Sequence, residues 1–504
     1  MTPAVAQGVD WLTVAPPLVL AATALAALLG DLWLPARAGS AVTAVAVAGT
    51  LAALGAVGLL WDEARATFCV STPAGPQSCS YVVDPITLVF QAVVLVGTLV
   101  VLLLAQQELA GTGRVLPAGE TVFLVLCSAT GALVLAAARD LATVVVALEV
   151  VSLPAFALVG LRRRDPRGAE AALTFFLVSV VSVAVMLYGV ALVYGATGSL
   201  HLDRVAAALA SGESRTAVAT AGVVLTLVGL AFKVGAVPFH FWVPDAYSGG
   251  PVVVAAFLSV VSKAAGVVGL VVVVSQGFPA YADVWGPAVA VISVATMTLG
   301  NVAALRQRRA VRLLAWSSVA HSGYMLAPLG VASSGVTGEA FGQALSAVVA
   351  YVCIYAVVNL AAFGVVAVVT RHRPSGLFDD YRGLAYSEPA SAAALGFGLL
   401  ALAGLPPGVA GLWAKVVVID SAVAGGAGWI ALAVAVNTVI ALAYYLRWTA
   451  LLFASPAEGE APVSYEVPAA SGLAVGVALG AGVVLSVLPQ LVVGLADASA
   501  VTLG

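Results

Sequence analysis

Lysine is almost missing from this chain of 504 residues: three lysines stand against eighteen arginines. Charged residues of both signs make up only 9%, with a formal net charge of −3. That balance leaves no basic surface for nucleic acid and no acidic tail. The four cysteines, Cys69, Cys79, Cys127 and Cys353, show no Cys-x-x-Cys spacing, which argues against an iron–sulfur or zinc site. A Gly-x-Gly-x-x-Gly dinucleotide fingerprint and a Walker loop are both lacking. No basic residues precede the first apolar run, which therefore reads as a retained helix rather than a signal peptide.

What remains is apolar. Hydrophobic residues make up 62% and mean hydropathy is +1.09, outside the range of soluble domains. A membrane span needs about twenty apolar residues. The pattern predicts an all-α integral membrane protein of about fourteen helices, at 12–34, 40–61, 85–106, 119–138, 141–161, 169–195, 216–243, 249–276, 284–304, 310–331, 339–370, 386–424, 428–453 and 468–495. The seventh is interrupted by Pro238, which removes the hydrogen bond to the Val234 carbonyl. The twelfth holds Gly404-Leu405-Pro406-Pro407-Gly408, which breaks it into half-helices. Broken helices at membrane depth line cavities and in transporters mark ion sites.

These breaks lie five helices apart. A five-helix unit repeated in tandem re-enters the membrane upside-down, so helices 4–8 (119–276) and 9–13 (284–453) are expected to form an inverted pair. Helices 1–3 (1–118) precede them, and a loop with helix 14 (454–504) follows. Loops after odd-numbered helices carry Arg37, Arg114, Arg162, Arg163, Arg164, Arg167, Arg306, Arg308, Arg309, Arg312, Arg371, Arg373 and Arg382; those after even-numbered helices carry Arg65, Arg139, Arg204 and Arg215. The positive-inside rule then puts both termini outside a multi-pass bacterial-type plasma (inner) membrane. The loop at 62–84 falls outside, where Cys69 and Cys79 can stand as a disulfide or as two free thiols.

The three lysines sit where lysine is most costly. Lys233, Lys263 and Lys415 all fall inside apolar segments, at roughly 2.5–3.5 kcal/mol each on insertion scales. Arginine keeps its proton in a protein, whereas a desolvated lysine can give one up. Permanent charge is therefore assigned to arginine and switchable charge to lysine. Lys263 lies midway along its span, beyond snorkelling range of either interface, with Ser259 one turn before it. Lys233 stands just before the Pro238 break, next to the freed carbonyl, so water or a partner is expected there. Lys415 follows the Pro-Pro break. For each, a purely structural ion pair is the competing reading.

Glu149, mid-span and followed by Ser152 and Pro154, is the natural counter-charge. A carboxylate paired with a lysine holds the lysine's proton, and separating the two favours its release. His321 stands in Ser317-Ser318-Val319-Ala320-His321-Ser322-Gly323-Tyr324. The spacing of Ser317, Ser318, His321 and Tyr324 puts them along one helix face. That stripe suits a hydrated wire with histidine as relay, or polar glue between helices. His240 and Asp245 are expected to shape the end of the broken helix. Asp84, Glu120, Asp140 and Asp420 lie near helix ends and receive no relay role.

The stretch Phe232-Lys233-Val234-Gly235-Ala236-Val237-Pro238-Phe239-His240-Phe241-Trp242-Val243-Pro244-Asp245-Ala246-Tyr247-Ser248-Gly249 resembles the seventh-helix signature of subunit N of proton-pumping NADH–quinone oxidoreductase, respiratory complex I. Leu148-Glu149-Val150-Val151-Ser152-Leu153-Pro154, Ser259-Val260-Val261-Ser262-Lys263-Ala264-Ala265, Trp316 through Tyr324 and Gly404-Leu405-Pro406-Pro407 support it in the same order, over about helices 4 to 13. The resemblance implies an antiporter-like fold with fourteen helices and two inverted five-helix repeats. It implies a proton relay of Glu149, Lys233, Lys263 and Lys415, to which His321 is added from its stripe. One departure is Thr174, where many relatives carry a further lysine early in helix 6.

Expected partners are the lipid bilayer and the other membrane and peripheral subunits of such a complex. This chain is expected to hold no cofactor, with flavin and iron–sulfur clusters in those partners. A subunit of a multi-subunit cation/proton antiporter, which shares the fold, is the alternative, and a scaffold that has lost pumping is a third reading.

Overall fold

The computed structural model describes residues 8–33, 39–61, 63–72, 75–109, 116–162, 164–211, 216–336, 338–456 and 467–500. Arg37, Arg114, Arg163 and Arg215 lie outside the described residues. Within them, helices α1 (Ala15–Trp33), α2 (Gly39–Leu59), α3 (Pro85–Leu109), α4 (Ala118–Ala137), α5 (Leu141–Val159) and α6 (Pro166–Thr197) are each long and apolar enough to span a bilayer. So are α8 (Ala217–Val234), α10 (Val252–Gly277), α11 (Pro279–Leu305), α13 (Glu339–His372), α16 (Gly428–Leu452) and α17 (Ala469–Val487), twelve among the described residues. Shorter helices are α7 (Leu202–Ala210), α9 (Trp242–Gly249), α12 (Ala310–Leu326), α14 (Pro389–Ala403), α15 (Val409–Ala424) and α18 (Gln490–Ala500).

The helical framework follows the apolar pattern, with local corrections. The predicted helix at 216–243 already ends at Val234, because Gly235 adopts a left-handed φ of 77°. The run at 386–424 divides at Gly404, φ 87°, into α14 and α15. α12 ends at Leu326, where Pro328 turns the chain into a 3₁₀ segment over Ala327–Ser334. The helix expected at 468–495 stops at Val487 before Pro489, and α18 resumes at Gln490.

Two elements lie outside the fourteen expected spans. The loop at 62–84 holds an antiparallel hairpin of β1 (Arg65–Thr72) and β2 (Gly75–Val83), with Cys69 opposite Cys79. The two cysteines are joined as a disulfide, the first of the two states expected. The segment after α6 forms the amphipathic α7, whose Leu202, Val205 and Leu209 are buried. Arg204 of α7 donates to Ser78 Oγ at 2.8 Å and Ser78 donates to Asp203 at 2.6 Å, tying hairpin to helix. Asp84, expected near a helix end and given no relay role, is buried in an ion pair with Arg139 at 2.6 Å. It also caps α3 through Thr87 N, and Asp140 caps α5 through Thr143 N.

The core sits along α10 and α13. α10 is apolar around nearly its whole circumference, the signature of a fully enclosed helix, and every residue in it but Gln276 is buried. Its winding changes to a π turn over Leu258–Ser262, directly before Lys263, a feature that recurs at functional positions.

Candidate functional site: a line of buried lysines

Both broken helices end in the same way. In a Schellman motif the glycine N–H and the next N–H return to carbonyls of the last turn. At the first break Gly235 N bonds Phe232 O and Ala236 N bonds Ala231 O, each at 2.9 Å. At the second, Gly404 N bonds Ala401 O at 3.0 Å and Leu405 N bonds Leu400 O at 2.8 Å. This motif leaves the last carbonyls of each half-helix without a backbone partner. They carry the negative end of the helix dipole, where a cation is favoured.

Lysines take those carbonyls. Lys263 donates to Val234 O at 3.1 Å, to Ser318 O at 3.0 Å and, in a short contact, to Ser322 Oγ. The partner expected at the Val234 carbonyl is therefore Lys263, reaching across from α10, joined by Ser322 Oγ at 2.7 Å. Lys415 donates to Leu402 O at 3.0 Å and Ala403 O at 2.8 Å, and its ammonium stands 5.6 Å from the Tyr324 ring centre. Hydrogen bonds to a charged group contribute about 1.5–3 kcal/mol each, so two or three neutral acceptors offset the insertion cost. Among the described residues no carboxylate lies within 4.0 Å of any of the three lysines.

Lys233 is 1% exposed and donates to Ser152 Oγ at 3.0 Å, and Ser152 in turn donates to Leu148 O at 2.6 Å. Ser152 lies one turn beyond Glu149 on α5. Glu149 itself is half-buried and makes no ion pair with Lys233 at 4.0 Å or less; its Oε1 is enclosed without a hydrogen-bond partner. The serine thus occupies the position between the glutamate's helix and the lysine. Glycine brings these elements together: a Cβ at Gly266 would stand 3.1 Å from Lys233, and one at Gly411 would stand 1.6 Å from Ala401 O.

His321 is 4% exposed, with Nδ1 at 2.8 Å from the Tyr351 hydroxyl and Nε2 at 3.2 Å from the Tyr445 hydroxyl. Tyr445 also makes a short contact to Ser317 Oγ, and Tyr355 donates to Ser318 Oγ at 2.9 Å. His321, Tyr351, Tyr355 and Lys415 line a cavity of about 10 Å³, the room of a single water. The structure buries Lys233, Lys263, His321 and Lys415; Lys263 bonds the carbonyl of Val234, the residue after Lys233, and Ser318 O three residues before His321, and His321 and Lys415 line the same cavity.

Ser322, Tyr351, Tyr355, Asn359 and Tyr445 were not singled out from the sequence. A signal was present: Tyr351, Tyr355 and Asn359 recur every four residues on α13, and Asn359 donates to Ser259 Oγ at 2.7 Å. His240 and Asp245 stand apart from the line. His240 packs on Trp316 with ring centres 5.5 Å apart, and Asp245 meets Arg312 at 3.3 Å on the exposed side. Trp242, between them, closes the break through Nε1 to Phe232 O at 3.1 Å.

Many apolar spans with two broken helices and lysines at the breaks define a membrane protein of the antiporter type. The family described as NADH:quinone oxidoreductase/Mrp antiporter, transmembrane, matches residues 138–441. The chain is 51% identical to NADH-quinone oxidoreductase subunit N 2 of Streptomyces griseus over 99% of this chain and 95% of that one. It is 46% identical to NADH-quinone oxidoreductase subunit N of Salinispora tropica, over 89% and 86%. A chain of respiratory complex I from Thermus thermophilus superposes with a TM-score of 0.75 at 31% identity, covering 95% of this chain and 98% of that one. A chain of the Mrp complex from Dietzia sp. superposes with a TM-score of 0.81 at 21% identity, over 98% and 97%, which speaks to the fold alone. The chain belongs to the NADH-quinone oxidoreductase subunit N family.

Proposed function

We propose that this chain is a proton-translocating membrane subunit of an NADH–quinone oxidoreductase. Glu149, Lys233, Lys263, His321 and Lys415 act as its relay, in that order along the middle of the membrane. The observation that carries this reading is the lysine line itself. Lys263 and Lys415 are enclosed and, among the described residues, held only by neutral acceptors, so no counter-charge there fixes the proton. Lys233 is tied to the Glu149 helix through Ser152. A change of charge at Glu149 acts on Lys233 across that contact, and a proton moving from Lys233 changes the field at Lys263, one residue beyond across Val234 O. The one-water cavity is suited to hand a proton between His321 and Lys415.

Electron transfer is assigned to partner subunits, which would hold the flavin and iron–sulfur clusters. Helices 4–8 and 9–13 form the inverted pair in this reading. The shared Gly-x-x-Pro spacing at Gly235–Pro238 and Gly404–Pro407 supports it, as does the Schellman end at each break. α12 with its 3₁₀ extension and the α14–α15 pair then complete fourteen crossings. Orientation follows the arginines, with both termini outside the bacterial inner membrane. Ser152 stands in for the helix 6 lysine that Thr174 replaces. The experiment is isolation of the intact assembly in mild detergent. Flavin and iron–sulfur subunits are expected to accompany the chain; antiporter subunits alone would replace this reading with the cation/proton antiporter.

A further inference from the structure

Tyr324 is the last member of the polar stripe on α12, and the partner of its hydroxyl lies on another helix. It accepts from Asn301 Nδ2 of α11 at 3.3 Å. The same amide nitrogen donates to Asn437 O at 3.2 Å and to Asn437 Oδ1 at 3.1 Å, both on α16. Asn301 Oδ1 accepts from the Tyr444 hydroxyl at 2.9 Å, and Asn437 Nδ2 donates to Ala433 O at 3.0 Å and to Thr298 Oγ1 at 3.1 Å. Tyr324, Asn301, Asn437 and Tyr444 are all buried. A buried amide is costly unless its polar atoms are matched. The two asparagines, set inside apolar helices, hold one another and the tip of one tyrosine.

The ring fixed by this anchor is the one over Lys415. An ammonium has three N–H donors. Lys263 places them on three oxygens, Val234 O, Ser318 O and Ser322 Oγ. Lys415 donates to two, Leu402 O and Ala403 O, and the Tyr324 ring centre stands 5.6 Å from its nitrogen. A cation within about 6 Å of an aromatic ring is attracted to the negative face of the ring quadrupole, more strongly where water is excluded. A neutral amine has no such attraction. The ring also stacks on Tyr351, with centres 5.9 Å apart and planes at 19°, so Asn301 holds its tip and Tyr351 its body.

We infer that the Tyr324 ring is the third partner of the Lys415 ammonium, and that Asn301 is the positioning residue that keeps the ring there. The ring favours lysine with its proton over lysine without it, and it does so without a carboxylate. Lys263 differs in this respect. Its third partner, Ser322 Oγ, is a hydroxyl, which can accept from an ammonium and donate to a neutral amine. The ring face can give nothing to a neutral Lys415. The line therefore ends on a lysine whose surroundings discriminate more sharply between its two charge states. This inference rests on the relay reading proposed above.

The test measures protons translocated per electron by the intact complex in sealed vesicles, comparing Tyr324→Leu, Tyr324→Phe, Asn301→Ala and Lys415→Met. Tyr324→Leu removes the ring and is expected to lower the ratio to that of Lys415→Met. Tyr324→Phe keeps the ring and is expected to retain most of the ratio. Asn301→Ala frees the same hydroxyl, so adding Tyr324→Phe to it is expected to cause no further fall. Mono-, di- and trifluorinated phenylalanines in place of Tyr324 keep the ring's shape while drawing electron density from its face. The ratio is expected to fall step by step along that series, which a packing role would not produce. A flat fluorine series, or Tyr324→Leu with the unaltered ratio, would overturn the role of the ring. Falls that add in the double variant would overturn the part given to Asn301. An unaltered ratio in Lys415→Met would remove the relay reading itself, whereas a fall there beside a flat series would remove this inference alone.

Discussion

At the residue scale, the account turns on what lysine can do that arginine cannot. Both carry a charge and both can cap helix carbonyls, but only lysine releases its proton under protein conditions. Lys415→Arg therefore separates a structural cap from a relay group. The charge near Leu402 O and Ala403 O is kept, yet proton translocation is expected to fall to that of Lys415→Met. Recovery of wild-type pumping with arginine would assign Lys415 to the structure alone. Measurement is of proton uptake by vesicles against NADH oxidised. The lysines were legible in the sequence because a charge in an apolar span has few explanations. Their partners were not, since backbone carbonyls have no residue code. Tyr351, Tyr355 and Tyr445 count equally well as aromatic core. Glu149 was legible as a carboxylate at depth and as a counter-charge for a lysine, but it makes no ion pair with Lys233 at 4.0 Å or less; Ser152 takes the ammonium instead.

At the element scale, the two breaks set the geometry of the line. Sequence indicated the first interruption from Pro238 and the second from Gly404-Leu405-Pro406-Pro407-Gly408, and it is a glycine that ends each helix, Gly235 three residues before Pro238 and Gly404 two before Pro406. Gly404 holds φ 87°, a conformation that costs an L-residue about 1–2 kcal/mol. Gly411 permits α15 to lie against Ala401. Gly411→Val is expected to force α14 and α15 apart, releasing Lys415 from its carbonyls. The expected outcome is a complex that melts several degrees lower in detergent and pumps poorly. Unchanged melting and pumping would mean that the Lys415 cap does not depend on this contact. The hairpin at 62–84 is too short and too polar to register as a span, although Ser78 to Tyr81 alternates in side-chain character as a strand does. α7 escaped likewise: nine residues with a strong polar face give no span-length apolar run.

At the scale of the whole molecule, apolar length fixed most of the helices, and the arginine bias gave a direction to them. The disulfide between Cys69 and Cys79 agrees with an oxidising side for the loop at 62–84. In intact cells, thiols at these positions are expected to become reactive to an impermeant maleimide only after an impermeant reductant is added from outside. Labelling that needs access from the cytoplasm would reverse the orientation. The enclosed α10 was predicted as a span but not as the centre, because a helix apolar on all faces looks the same against lipid and against protein. Its place in the middle is what brings Lys263 within reach of the first break, at Val234, on one side and of α12, the helix of Ser318 and Ser322, on the other.

The central claim is that a proton passes along the buried lysines, and Lys263 is its midpoint. The most direct measurement is the number of protons translocated per electron by the intact complex carrying Lys263→Met, in sealed vesicles with assembly verified. The account predicts a lower ratio in a complex that still assembles and still oxidises NADH. A ratio equal to that of the unaltered complex would contradict it.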